Sequence, residues 1–139
     1  MPESDTKIYA NVFEVIAYFV NNKLTDEEME LMKSHAATGC QILESMHNSS
    51  NEEYLRYAYN ICRYHHERWD GSGYPEGLSG DQIPICAQVV GLADAYDALT
   101  SKRVYKEAFS FDVAVNMIIN GECGVFSPKL IECFKHIAP

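Results

Sequence analysis

Four side chains in this chain of 139 residues stand out as candidate metal ligands: His35, the adjacent pair His65-His66, and Asp94. Imidazole and carboxylate together suit Fe, Mn, Ni or Zn. Neighbours on a regular helix point about 100° apart, so His65 and His66 can share an ion only where their helix is ending. The Gly-rich stretch that follows them supplies such an end. His47 and His136 have no such company and read as surface or hydrogen-bonded histidines.

The elements that must carry these donors are helical. Tyr9, Phe13, Ile16 and Val20 form a stripe at helical spacing within Ile8 to Val20, which predicts a first helix. Thr25-Asp26-Glu27-Glu28 has the form of a capping box and opens a second helix running towards His35. Ala36 to Met46 is another helix-compatible segment, interrupted by the turn-forming residues His47-Asn48-Ser49-Ser50. Ser50-Asn51-Glu52-Glu53 repeats the capping-box form and opens a helix on which Leu55, Ala58, Cys62 and His65 share one face. That helix delivers histidine at its end.

From Arg68 to Pro84 the chain holds four Gly and two Pro and loses all period, so it forms a loop of the length that is usually functional inside a compact domain. Helical spacing resumes through Ile85, Val89, Leu92, Tyr96 and Leu99. Ser110 and Asp112 open a further helix that Gly121 closes, and Ser127-Pro128 start the last one as N-cap and N1. Six or seven helices and no strand make the fold class all-α.

Composition bounds what such a fold can do. With 11 Lys+Arg against 20 Asp+Glu the formal net charge is −9, which excludes a general nucleic-acid-binding surface, because duplex binding needs clustered cations. No apolar run approaches the roughly 18 residues of a membrane span. The five cysteines, Cys40, Cys62, Cys86, Cys123 and Cys133, form no CxxC, so neither a disulfide framework nor a zinc finger is implied. With 47% hydrophobic residues, a single domain over 1–139 can fold without a metal, and any metal site is functional. The opening residues lack the order of a signal peptide, and the expected location is the cytoplasm. Tyr9, Phe13, Tyr18 and Phe19 are compatible with a homodimer, although such a stripe is more often core.

The run His65-His66-Glu67-Arg68-Trp69-Asp70-Gly71-Ser72-Gly73-Tyr74-Pro75 closely resembles HHExxDGxGYP, the signature of the HD-GYP family of metal-dependent phosphohydrolases that hydrolyse cyclic di-GMP. Further segments match in the family's order: Lys23-Leu24-Thr25 through His35, Ile83-Pro84, Ala93-Asp94 through Ser101, and Arg103-Val104-Tyr105-Lys106. The resemblance covers about Lys23 to Phe134, with residues 1–22 a divergent N-terminal helix. It implies an HD-domain-like helical bundle in which His35, His65 and His66 ligate one metal and Asp94 helps hold a second. It also implies that Arg103 and Lys106 grip a phosphate, a fork and a point charge respectively. Gly73, Tyr74 and Pro75 belong to the loop the family uses for substrate or partner contact, including a GGDEF-type protein. Trp69 and Asp97 read as structural, with Asp97 also able to hydrogen-bond a ligand residue.

One motif is missing. The family's name refers to a His-Asp pair in an HDxGK segment upstream of KLT, and this chain has no His-Asp dipeptide; an ungapped alignment puts Thr6-Lys7-Ile8-Tyr9-Ala10 in its place, whereas taking Met1-Pro2-Glu3-Ser4 as the family's IPxS-like stretch puts the pair before the first residue. The Asp of that pair is expected to bridge two ions, and an anion between them is what lets two cations sit close together. The expectation is therefore a degenerate module that holds one ion rather than two and binds cyclic di-GMP or a related phosphoester, or contacts a partner. The alternative is a working phosphodiesterase with a residual site, Asp5 or Glu3 folding back as substitute ligand. A third reading is a fragment of a longer protein that encodes the pair upstream.

Overall fold

The structure is a computed structural model that describes residues 25–46, 52–102 and 107–138. The expected helix over Ile8 to Val20, the capping box at Ser50, Arg103, Lys106, Glu3 and Asp5 lie outside the described residues. Within them the chain forms five α-helices, α1 (Asp26–Ser45), α2 (Glu52–Tyr64), α3 (Ile85–Thr100), α4 (Phe111–Ile119) and α5 (Pro128–Ile137), with a 3-10 turn at Gly80–Gln82. The fold class is all-α, as expected.

The start of α1 is set by its first four residues. Glu28 N–H donates to Thr25 Oγ1 at 3.3 Å and Thr25 N–H donates to Glu28 Oε2 at 2.8 Å, so two orphan amides are satisfied reciprocally. One correction concerns its length: the segments read as Thr25 to His35 and Ala36 to Met46 are a single helix of 20 residues. Gly39 lies within it at a place where α2 comes close, since a Cβ there would fall on Cys62 Sγ.

Consecutive helices pack on one another, α1 on α2, α2 on α3 and α3 on α4. The apolar core is displaced towards the C-terminal half, where Leu92, Leu99, Ala114, Ile118, Phe126 and Phe134 form one buried cluster. Towards the N-terminal half it thins: α1 buries only Ala36 and Cys40, and α2 buries no residue fully. Gly121 closes α4 in the left-handed conformation at φ 76°, and Pro128 sits in the first turn of α5, as the sequence predicts. No helix among the described residues is long and apolar enough to cross a membrane.

Residues 68–84 form the loop expected from their composition, but it is anchored rather than free. Trp69 N–H donates to Val125 O and Gly80 N–H to Trp69 O, each at 2.9 Å. These bonds fix the loop's stem against the stretch leading into α5.

Candidate metal centre

The last turn of α2 resolves the geometric problem posed by two adjacent histidines. The helix stops at Tyr64, and although His65 N–H still bonds Ile61 O at 3.1 Å, Glu67 N–H bonds Tyr64 O at 3.0 Å in a tightened turn. The two rings leave this turn on the same side, 4.0 Å apart between centroids. His35 approaches from α1, its Nε2 3.1 Å from His66 Nε2. One donor atom from each of His35, His65 and His66 lies within 4.8 Å of the others.

The hydrogen bonds fix which nitrogen of the His35 and His65 rings is available. His35 Nδ1 lies 2.6 Å from Met32 O, and His65 Nδ1 lies 2.8 Å from Ile61 O and 3.1 Å from Cys62 O. A carbonyl only accepts, so Nδ1 carries a proton in both rings and Nε2 is the nitrogen left to face an ion. That is the tautomer a metal ligand needs, held by the partner that usually orients one. Burial, the His65 and His35 imidazoles and Arg68 together hold His66 down to about 3, so this ring is neutral at neutral pH. Three imidazoles are a donor set that fits a divalent transition metal. Tetrahedral donors about 2.1 Å from an ion stand about 3.4 Å from one another, so loading requires the widest pair of donors to close by up to about 1.4 Å.

The loop folds back onto this trio through two devices that spacing alone does not reveal. Gly73 lies against the backbone of His66, Glu67 and Arg68, where a Cβ would collide with three main-chain atoms; Tyr74 N–H can then donate to His66 O at 3.3 Å. The Tyr74 ring stacks on His66 with centroids 4.8 Å apart and planes 19° apart, and Lys33 Nζ of α1 lies 5.7 Å from the Tyr74 ring. The second device is Glu67, 5% exposed, whose carboxylate accepts from Glu76 N–H at 2.8 Å and Leu78 N–H at 3.0 Å. Pro75 follows Tyr74 through a cis peptide bond and is exposed.

Arg68 ties the histidine turn to the core side of the molecule. Its guanidinium donates to the carbonyls of His65, Glu67 and Cys123 at 3.3, 3.0 and 3.3 Å and lies 5.0 Å from the Phe126 ring. Trp69 and Asp97 are structural here: Trp69 anchors the loop stem, and the Asp97 carboxylate accepts from Ser101 Oγ at 2.9 Å.

Asp94 does not join the trio. It is exposed on α3 and lines a cleft of about 460 Å³ together with His65, Cys62, Ile61, Ala58, Tyr57, Tyr54 and Val90. The carboxylate and His65 thus face one shared space from opposite helices. Glu67, Arg68 and Gly91 are the site-building residues the sequence reading passed over. Glu67 and Arg68 stood inside the motif, but nothing in their spacing signals burial. Gly91 lies on α3 where a Cβ would fall on His65 O. Gly91→Ala is expected to push the His65 turn away from α3 and weaken ion binding by about tenfold or more, within the range seen when groups that orient ligands are lost. Titration with Co(II), followed by its visible absorption, checks this; unchanged affinity would remove Gly91 from the site.

The family model described as HD domain matches residues 16–128 of this chain. Over 113 residues the chain is 45% identical to a cyclic di-GMP phosphodiesterase of Vibrio cholerae, covering 81% of this chain and 23% of that protein. Over 110 residues it is 40% identical to the cyclic di-GMP phosphodiesterase response regulator RpfG of Xanthomonas campestris pv. campestris, covering 79% and 28%. It is also 38% identical over 110 residues to the 3'3'-cGAMP-specific phosphodiesterase 2 of Vibrio cholerae, covering 79% and 20%. The chain therefore spans between 20% and 28% of the length of these three relatives.

Proposed function

The chain belongs to the HD domain family, in its HD-GYP-like branch, and on that premise we propose that it binds one divalent cation through His35, His65 and His66 and a cyclic dinucleotide beside it. The observation that carries this reading is the convergence of three imidazoles whose Nδ1 atoms are tied to carbonyls or whose proton is displaced by burial. Fe, Mn, Ni or Zn suits the donor set. Once bound, such an ion supplies Lewis acidity towards a phosphodiester oxygen and a more acidic water. The chain's own groups orient the ligand: Tyr74 caps His66, and Asp94 faces the adjoining cleft from α3.

Cyclic di-GMP is the ligand this reading favours, because relatives are named for it or for 3'3'-cGAMP. Arg103 and Lys106 complete the reading as the phosphate grip. Arg103→Ala is expected to weaken cyclic di-GMP binding by about tenfold, the loss of a charge-assisted fork contact; calorimetry showing unchanged affinity would remove Arg103 from the site. With Thr6-Lys7-Ile8-Tyr9-Ala10 in the place of the family's HDxGK segment, this reading has one ion rather than two, and binding without turnover. The same reading places the chain in the cytoplasm, as a monomer or homodimer whose Gly73-Tyr74-Pro75 loop meets a GGDEF-type protein.

The alternative, an active phosphodiesterase, is favoured by one observation: Asp94 shares its cleft with His65. Elemental analysis of protein purified without chelator, followed by incubation with cyclic di-GMP and Mn or Fe, separates the two. One metal equivalent with ligand bound and unhydrolysed is the expected result. Two equivalents and linear pGpG, lost in His65→Ala, would overturn it.

A further inference from the structure

We propose that Cys40 and Cys62 form a reversible disulfide that joins α1 to α2 behind the histidine trio. The two helices that bring the histidines together meet through sulfur. The Cys40 thiol on α1 donates to Tyr59 O on α2 at 3.9 Å, and the Cys62 thiol on α2 donates to Ala36 O on α1 at 3.8 Å. Ala36 and Cys40 lie one turn apart on their helix, as do Tyr59 and Cys62 on theirs. The reciprocal contacts therefore set both thiols at one level of the interface. Gly39, beside Cys40, leaves out the Cβ that would fall on Cys62 Sγ, so the backbones are close where the sulfurs meet. Burial raises the Cys40 pKa, and the charge of the adjoining Cys62 thiol and a hydrogen bond to it raise it further. A disulfide needs such a close approach between two chain segments.

Exposure orders the chemistry. Cys40 is 3% exposed, whereas Cys62 lines the cleft it shares with His65 and Asp94, so an oxidant entering the cleft meets Cys62 first. With a hydroperoxide, the Cys62 sulfur attacks the terminal oxygen and the O–O bond breaks. The alcohol, or water in the case of hydrogen peroxide, leaves, and Cys62 becomes a sulfenic acid. The Cys40 sulfur then attacks the Cys62 sulfur, the S–O bond breaks, and water leaves with the Cys40 proton. Two thiols are oxidised by two electrons and one peroxide is reduced; a small thiol reverses the step by exchange. The link is placed where the fold is thinnest, since α2 buries no residue fully. It does not depend on which ion or nucleotide the neighbouring site holds.

The test treats the reduced full chain with equimolar hydrogen peroxide and maps its peptides without reduction. The expected result is a mass lower by about 2 Da, for two hydrogens lost, and one cross-linked pair of peptides containing Cys40 and Cys62. Dithiothreitol should reverse it. The oxidised chain should melt about 5–10 °C above the reduced one, because the link closes a loop of the unfolded chain. Cys40→Ser and Cys62→Ser should each abolish the cross-link, and Cys133→Ser should keep it. Should either serine variant fail to fold, the map of the wild-type chain still decides. A sulfinic acid at Cys62 with the Cys40 thiol intact, a bridge to Cys86 or Cys123, or a link between two chains would overturn the proposal.

Discussion

His65→Ala is expected to reduce divalent-ion binding by at least about 100-fold while leaving the fold in place. Loss of groups that merely orient a ligand costs about 10–100-fold in metal affinity, and His65 would be a ligand itself, so the larger end of that range is a floor. The ring is only half-buried, and its Nδ1 proton goes to carbonyls of the preceding helical turn. Removing it opens no buried cavity and leaves no buried donor unpaired, so the melting temperature of the metal-free variant should stay within a few degrees of wild type. The matched control is His136→Ala: this ring is exposed on α5, donates to Glu132 O at 2.7 Å and is not part of the histidine trio. Co(II) titration of the three proteins reads the difference. Equal affinity in His65→Ala and wild type would sink the three-imidazole site and the reading built on it.

Glu67→Ala should be the most destabilising single substitution in the loop. The carboxylate is 5% exposed and holds the amides of Glu76 and Leu78, nine and eleven residues onward, so its removal strands two N–H donors in a place water barely reaches. At about 1–3 kcal/mol for each stranded group, the loss is about 2–6 kcal/mol. For a chain of this size, that is about 7–20 °C in melting temperature. Glu67→Gln keeps one carbonyl acceptor but turns an NH2 donor towards the other amide, so it should recover only part of the loss. The damage should reach the site as well. Tyr74 lies between Gly73 and the loop segment that Glu67 pins, and a loosened loop surrenders its stacking on His66. A variant that melts like wild type and keeps its ion affinity would show that the loop is held by Trp69 and Gly80 instead.

Much of this was legible before any coordinate. The Thr25 capping box, the aperiodic stretch before Pro84, Gly121 and Pro128 are all signalled by residue type or by spacing within four residues, and His35, His65, His66 and Asp94 stand out as candidate ligands by type alone. Helix period and capping are local, because each backbone bond of a helix joins residues four apart. The run from His65 to Pro75 carried the family, since a motif is also local.

Convergence is not local. His35 and His66 are separated by 31 residues, and whether their Nε2 atoms stand 3.1 Å apart depends on how closely α1 and α2 pack, which Gly39 decides by what it lacks. The same holds for Gly73 against the His66 backbone, for Gly91 against His65 O, and for Glu67 reaching two amides across the loop. In each case a one-dimensional pattern names a small or charged residue but not the distant atom it must clear or hold. Only the packed chain supplies that partner, because close approach and burial are properties of pairs of elements.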